Sequence, residues 1–551
     1  MPRTIQGNFP KFKVDSIADM LLLNAKEKDI AFVTGYYAID DGGGGEFYFD
    51  SASVEVVNGG TIFGTGTGRW KRIVEGRING KFFGAKGDGA GHDDTSFIQA
   101  AITYIASNGG ALFYPEGDYY VTSTITIPEI SGPFFSEEGV TVEGEHRTKT
   151  RFFTDQDITV FIQPDYTIFK NFTVNQFGTT GTGVAFFSSE QIRFCTWEGV
   201  DVQNMEYGFL FRFTLWLAFR DVYVTGTTCG FRFARVGTNK ATMTDQTNPS
   251  SIASWNTSTG WFNNQLSFDN VLCNGGEVGI WGSMMGASIN NVTCQNQLTD
   301  GTSNDVLPTS QKGTGIWIEG GGTATDTFNN VITNYYVEDT LNPLVVKEHD
   351  SLVVNGWFVQ GITGGVSMLD IDSSSITISG QTGQSAGFTN RILGNDSKIC
   401  SSGVLVASGA SDNLTNCKLT ESGTFPTTIK TYTPTATPSG SGTITLDTTA
   451  DLLAYERLGT TVTVTGRIDV DSVSSPTGTY ITISGLPYTV AALTERAGNG
   501  SGSCVYFPLS TATLLPILFI ENATDFRIYV NAATIIVGDE LYVTLTYLTD
   551  E

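Results

Sequence analysis

Residues 82–126, FFGAKGDGAGHDDTSFIQAAITYIASNGGALFYPEGDYYVTSTIT, say more about the fold than any other stretch of this chain. A Gly-rich turn comes first, then a short amphipathic helix, a second turn and a strand. Asp94 or Thr95 is positioned to cap the helix, where a short side-chain oxygen meets unpaired N–H groups. Phe97, Ile98, Ala101, Ile102 and Ile105 recur at the spacing of one buried helix face. Asn108-Gly109-Gly110 ends the helix, and the alternating run from Ala111 to Tyr114 begins a strand.

At 551 residues the chain exceeds one ordinary compact domain, so several domains or a solenoid are expected. Gly 64 against Pro 16, with only 16% charged residues, favours a turn-dense β protein. The net charge of −25, with no basic block, argues against nucleic-acid binding. Seven cysteines, Cys195, Cys229, Cys273, Cys294, Cys400, Cys417 and Cys504, contain no CxxC pair and are read as buried free thiols. The opening MPRTIQGNFPKFK lacks the apolar core of a signal peptide, and no run of about 18 apolar residues exists. The expectation is a protein made in a cytoplasm, without the usual export signal and without membrane insertion.

A repeat then decides the architecture. One pattern runs aromatic or aliphatic, any, Asn/Asp/Gly, apolar, any, apolar or small. It begins at Phe169, Trp197, Phe219, Phe268, Ile289, Phe328 and Val354. A second pattern, Gly followed by alternating apolar residues, interleaves with it at Gly183, Gly208, Gly230, Gly279 and Gly315. Two short strands per turn-bounded unit are coils of a parallel β-helix, since no single coil buries its own inner face. Two polar inserts, 237–260 and 298–313, interrupt the coils. After about residue 425 a Thr/Pro/Gly linker leads into alternating strands that read as an antiparallel sandwich. The expected division is a head over 1–80, a β-helix over 81–425 and a jelly-roll-like β-sandwich over 426–551, the last for trimerisation, carbohydrate binding or both.

The opening motif, in the pieces Phe83–Gly89, Asp93-Asp94-Thr95, Gly109-Gly110 and Phe113–Tyr119, resembles the start of the pectate-lyase-like right-handed parallel β-helix found in phage tailspikes and pectin-degrading enzymes. The GYYAIDDGGGGEFYFD and GTGTGRWKRI segments look like the small head before a tailspike helix. The resemblance, over roughly 30–425, implies an all-β homotrimer at a phage tail, held by tail or baseplate proteins. It implies a protein assembled in the host cytoplasm that binds and cleaves capsular or other surface polysaccharide at the bacterial cell surface. No cofactor or metal is implied, and no local catalytic signature transfers. Site residues therefore rest on which face each side chain takes.

Strand alternation places positions one, four and six of the first pattern inward and positions two and five outward. Outward position two reads Lys170, Glu198, Arg220, Asp269, Asn290, Asn329 and Asn355; position five reads Thr173, Asp201, Tyr223, Leu272, Thr293, Ile332 and Phe358. In the Gly-led strands the outward columns are Ala185, Leu210, Arg232, Trp281, Trp317 and then Phe187, Arg212, Ala234, Ser283, Glu319. Exposed Trp281 and Trp317 would stack on sugar rings, with Arg212, Arg220 and Arg232 as cationic donors. Glycoside hydrolysis needs two carboxylates, about 5–5.5 Å apart for retention or about 6.5–9.5 Å for inversion. Glu198, Asp201, Asp269, Glu277 and Glu319 are the candidates. Elimination would instead need a base beside a uronate, and Tyr223 between two arginines is the candidate there. Asp88, Asp93 and Asp94 are read as turn and cap acids rather than metal ligands. The alternatives to a hydrolase are a lyase on the same fold, a non-catalytic glycan-binding fibre and a pectin-type enzyme.

Overall fold

A computed structural model describes residues 11–129, 139–178, 183–188, 191–234, 236–237, 260–261, 263–298, 312–319, 329–349, 351–360, 364–382, 388–401, 411–421, 430–449, 452–458, 460–492, 500–508 and 513–549. The insert 237–260, apart from its ends, and most of 298–313 lie outside the described residues, as does Phe328. Two units are present: residues 1–399 with 405–418, and residues 400–404 with 419–551.

Besides the head, the first unit holds a right-handed parallel β-helix; among the described residues its 30 paired strands begin at Ile78–Asn79 and the last, Lys418–Glu421, extends in sequence into the second unit. Each coil has three strand positions, as in Ile168–Lys170, Thr173–Gln176 and Val184–Ser188. Register fixes the inner column: Phe169 pairs with Trp197, then Phe219, Phe268 and Ile289. These rings stack at 6.0, 4.8 and 4.9 Å between Phe169, Trp197, Phe219 and Phe268. A second inner stack, Phe161–Phe186–Phe209–Phe231, runs at 5.6, 5.0 and 4.6 Å. All are fully buried, and each ring pair adds about 0.5–1.5 kcal/mol beyond area burial.

Position three of the pattern turns the chain through a corner. Asn171, Gly199, Asp221, Asn270, Asn291, Asn334 and Gly356 all take φ between 51° and 71° there, a left-handed conformation open to Gly and tolerated by Asn and Asp. Asn side chains link the corners: Asn291 Nδ2 donates to Asn270 Oδ1 at 3.2 Å, and Asn270 Nδ2 donates to Asp221 Oδ1.

Two coils depart from the sequence alignment. Ile289 pairs with Ile332, not Phe328, and Thr293 pairs with Tyr336. The true coil reads Ile332-Thr-Asn-Tyr-Tyr-Val, so Thr333 replaces Asn329 in the position-two column and Tyr336 replaces Ile332 in position five; Ile332 points inward and is fully buried. Asn330 is buried too, accepting from Ala287 N at 2.7 Å and donating to Met284 O at 2.8 Å. In the other coil Leu210 pairs with Phe187, so Phe187 and not Ala185 leads the first outward column of the Gly-led strands.

The helix Thr95–Asn108 closes the coil stack with Ile98, Ala101, Ile102 and Ile105 buried. Thr95 is the first helical residue and Asp94 stands at the N-cap position, but the carboxylate that accepts from Thr95 N is that of Asp93, through Oδ1 at 3.0 Å. Asp94 makes no cap bond; fully buried, it accepts from Lys86 N at 2.7 Å and Gly87 N at 3.1 Å and so ties down the Gly-rich turn. The head is a five-stranded sheet around Phe47, Phe49, Phe63 and Trp70. The second unit is a ten-stranded antiparallel ladder wrapped on one core that includes Leu453, Val464, Ile468, Phe526 and Leu545. None of the seven cysteines, all among the described residues, is in a disulfide, and five of them are buried. Among the described residues no helix is long and apolar enough to cross a membrane.

Candidate functional site

The outward columns of the first pattern run on the two sides of one corner of the β-helix. Lys170, Glu198, Arg220 and Asp269 follow one another in register along position two. Lys170 Nζ lies 3.2 Å from Glu198 Oε2, and Asn290 Nδ2 donates to Asp269 Oδ1 at 2.8 Å. Glu198 and Asp269 are two strand spacings apart, about 9.6 Å between backbones, with exposed Arg220 between them. Across the Gly199 corner, Thr173, Asp201, Tyr223 and Leu272 follow in position five.

Asp201 is the unusual member. It is 8% exposed, and its Oδ1 has no hydrogen-bond partner among the described residues. Burial pushes its carboxyl up to about 6, against the pull of Arg147, whose Nε is 3.4 Å from Oδ1. The Arg147 guanidinium also lies 4.0 Å from the Tyr223 ring centre and donates from Nη1 to Asp221 O at 3.3 Å. Thr173 Oγ1 donates to Arg147 O at 2.6 Å, holding the turn in place. Sequence reasoning missed Arg147 because it lies outside the repeat, on a turn of an earlier coil. The visible signal is an expanded corner: Glu143 and Arg151 flank seven residues where Lys170 and Thr173 flank two.

The Gly-led strands bring Arg232, Trp281 and Trp317 together in register. The guanidinium of Arg232 sits 3.4 Å from the Trp281 ring centre, and the two indoles stack at 4.8 Å and 9°. Trp281 Nε1 donates to Glu319 Oε1 at 2.8 Å, and Glu319 pairs with Lys347 on the next coil. The expectation of exposed tryptophans fails: Trp281 and Trp317 are 6% and 5% exposed, while Arg212 and Arg232 are also buried. The reason is their neighbours. Phe187, Tyr207, Leu210, Ala234, Val278 and Val345 point outward beside them and gather the indoles into a second apolar cluster outside the lumen.

The five candidate carboxylates therefore do not converge. Glu198 and Asp269 share one column, and Asp201 lies across the Gly199 corner from Glu198. Glu319 is in register with Ser283, whereas Glu277 is six residues earlier on that strand line, about 20 Å away. Glu277 is buried and paired with Lys312 Nζ at 2.9 Å. His349 is buried with its pKa lowered to about 4 by desolvation, and its Nε2 accepts from Asn330 Nδ2 at 2.8 Å. Asp93 Oδ2 accepts from Thr122 Oγ1 at 2.6 Å, so Asp93 and Asp94 are both engaged in holding the turns of the opening motif, while Asp88 is exposed.

Residues 13–75 match the family described as phage tail protein small four-stranded beta-sheet domain. Among solved structures, the chain is similar to the gp42 tailspike of Acinetobacter phage vb_AbaP_AS12, at 13% identity over 86% of this chain and 92% of that one, with a TM-score of 0.55. It is also similar to the gp49 tailspike of Acinetobacter baumannii bacteriophage Fri1, a capsular polysaccharide depolymerase, at 13% identity over 98% of each chain, with a TM-score of 0.43. The coil stack thus shares the β-helix fold of the AS12 tailspike, and the residues before it resemble the phage-tail β-sheet domain.

Proposed function

We propose that this chain, a phage-tail β-sheet domain followed by a tailspike β-helix, is a virion-borne tailspike that binds bacterial surface polysaccharide and cuts it by glycoside hydrolysis. It acts as a homotrimer at the phage tail. The observation that carries the chemistry is Asp201, a largely buried carboxyl with its pKa raised to about 6, one corner away from half-buried Glu198 and exposed Arg220 and Asp269. A carboxyl of that kind is protonated near the lower end of the physiological range and serves as general acid to the leaving glycosidic oxygen. Glu198 on the same coil, or Asp269 two coils on, supplies the second carboxyl group, and Arg220 and Arg147 orient the saccharide. The fold alone hosts many functions, so the residues and not the architecture support this reading. A second reading, β-elimination with Tyr223 as base, is favoured by the Arg147 guanidinium over the Tyr223 ring, where it would neutralise a uronate carboxylate. New reducing ends without ultraviolet-absorbing unsaturated products support hydrolysis; unsaturated products support elimination. Asp201→Asn abolishing cleavage while polysaccharide is still bound supports the acid role, and full activity in that variant rejects it.

A further inference from the structure

At the corner preceding the Glu198-bearing strands, Tyr166, Phe194 and Trp216 stand one above another on three successive coils. Tyr166 N donates to Arg193 O at 2.8 Å and Phe194 N to Leu215 O at 3.1 Å. Their rings stack at 5.1 Å and 17°, then 4.7 Å and 6°. All three residues are left-handed, with φ of 57°, 55° and 55°. The following coils carry Gln265 at 54° and Gly286 at 65° in the same place. At the Asn171 corner this conformation falls to Asn, Asp and Gly; a bulky residue there costs on the order of 1–3 kcal/mol.

Core packing does not account for that cost. Phe194 and Trp216 are 38% and 45% exposed. With Phe194 against one face of the Trp216 indole and Gln265 on the coil above, the stacked rings turn their edges outward. Backbone strain held for the sake of exposed aromatic surface points to a ligand.

The ladder borders the candidate active face. Tyr166 to Lys170, Phe194 to Glu198 and Trp216 to Arg220 are each four residues, about 13 Å of extended chain, the span of a few pyranose rings. Between the two columns lie half-buried Ile168, Thr196, Ala218 and Ser267, mostly short side chains that make a shallow floor. Beside the rings Arg193 Nε donates to Asp165 Oδ2 at 2.7 Å, a planar polar edge suited to sugar hydroxyls. A second subunit fits less well. Three aromatic side chains under half exposed offer on the order of 200–300 Å², against about 800 Å² per partner in a stable protein interface.

We propose that Tyr166, Phe194 and Trp216 form a saccharide-binding ladder whose exposed ring edges pack against the apolar faces of pyranose rings and hold a polysaccharide across the face bearing Glu198, with Asp201 beyond the next corner. The inference rests on the depolymerase reading and adds a subsite to it. The test uses the full-length chain and a panel of purified capsular polysaccharides from Gram-negative bacteria. The probe is a polymer that the wild type binds or cleaves, together with its shortest cleavable oligosaccharide. In the Phe194→Asn/Trp216→Asn double variant, KM for the polymer rises about tenfold, and the ratio of polymer to oligosaccharide kcat/KM falls by the same factor. Thermal stability does not drop in proportion, because Asn accepts the left-handed corner. An unchanged polymer KM, with or without lost stability, overturns the ladder and leaves the depolymerase reading standing. A wild type that neither binds nor cuts any member of the panel overturns both.

Discussion

Replacing Arg147 by Met probes the proposed acid without touching its carboxyl. The guanidinium Nε lies 3.4 Å from Asp201 Oδ1, and at that separation a unit charge pair is worth about 1 kcal/mol in water and several-fold more in a protein-like medium. Arg147 is partly solvent-exposed, with a side-chain accessibility of 27%, so the lower figure is the safe one. About 1.4 kcal/mol corresponds to one pH unit. Removing the cation therefore raises the Asp201 carboxyl from about 6 to about 7. A general acid must be protonated, so activity falls as pH rises through its pKa, and a raised pKa carries the alkaline limb to higher pH. The assay is kcat/KM for release of reducing ends from purified polysaccharide across pH 4–9. The alkaline limb of Arg147→Met is expected about one unit above that of the wild type. An unmoved limb in a folded, active variant refutes Asp201 as the acid, and a limb moved downward refutes the electrostatic account.

Other substitutions separate function from scaffold. Asp201→Asn stabilises the protein at neutral pH by up to about 3 kcal/mol, since a carboxyl raised from 3.8 to about 6 on folding is penalised once ionised. That gain is complete above about pH 6, shrinks as pH falls and is gone below about pH 4, which urea unfolding at several pH values checks. Trp317→Ala, a buried truncation, costs about 3–5 kcal/mol and shows as a lowered unfolding temperature, unlike the exposed Trp216. Asn270→Ala costs about 2 kcal/mol from the left-handed strain and the broken Asn ladder, and Asn270→Gly costs less; paired melting curves decide.

The coils were legible because a parallel β-helix repeats the same inward alternation on every turn. The alignment slipped where two Asn-centred strings lie four residues apart: Phe328-Asn-Asn-Val matches the letters of other coils, yet Ile332-Thr-Asn-Tyr carries the register. Facing was readable, but exposure was not. Trp281 and Trp317 do point away from the lumen, and the apolar residues stacked on adjacent coils bury them there. The pKa of Asp201 is raised by burial and pulled back by Arg147, 54 residues away in sequence, and strand alternation reveals neither. The ladder at Tyr166, Phe194 and Trp216 stayed hidden because aromatic residues carry no sequence sign of a left-handed corner.

Incubation with purified capsular polysaccharides, followed by end-group analysis of the products, tests the central claim most directly. The account predicts new reducing ends without unsaturated sugars, abolished by Asp201→Asn with binding retained. Intact polymers across the panel, or cleavage undiminished in Asp201→Asn, would contradict it.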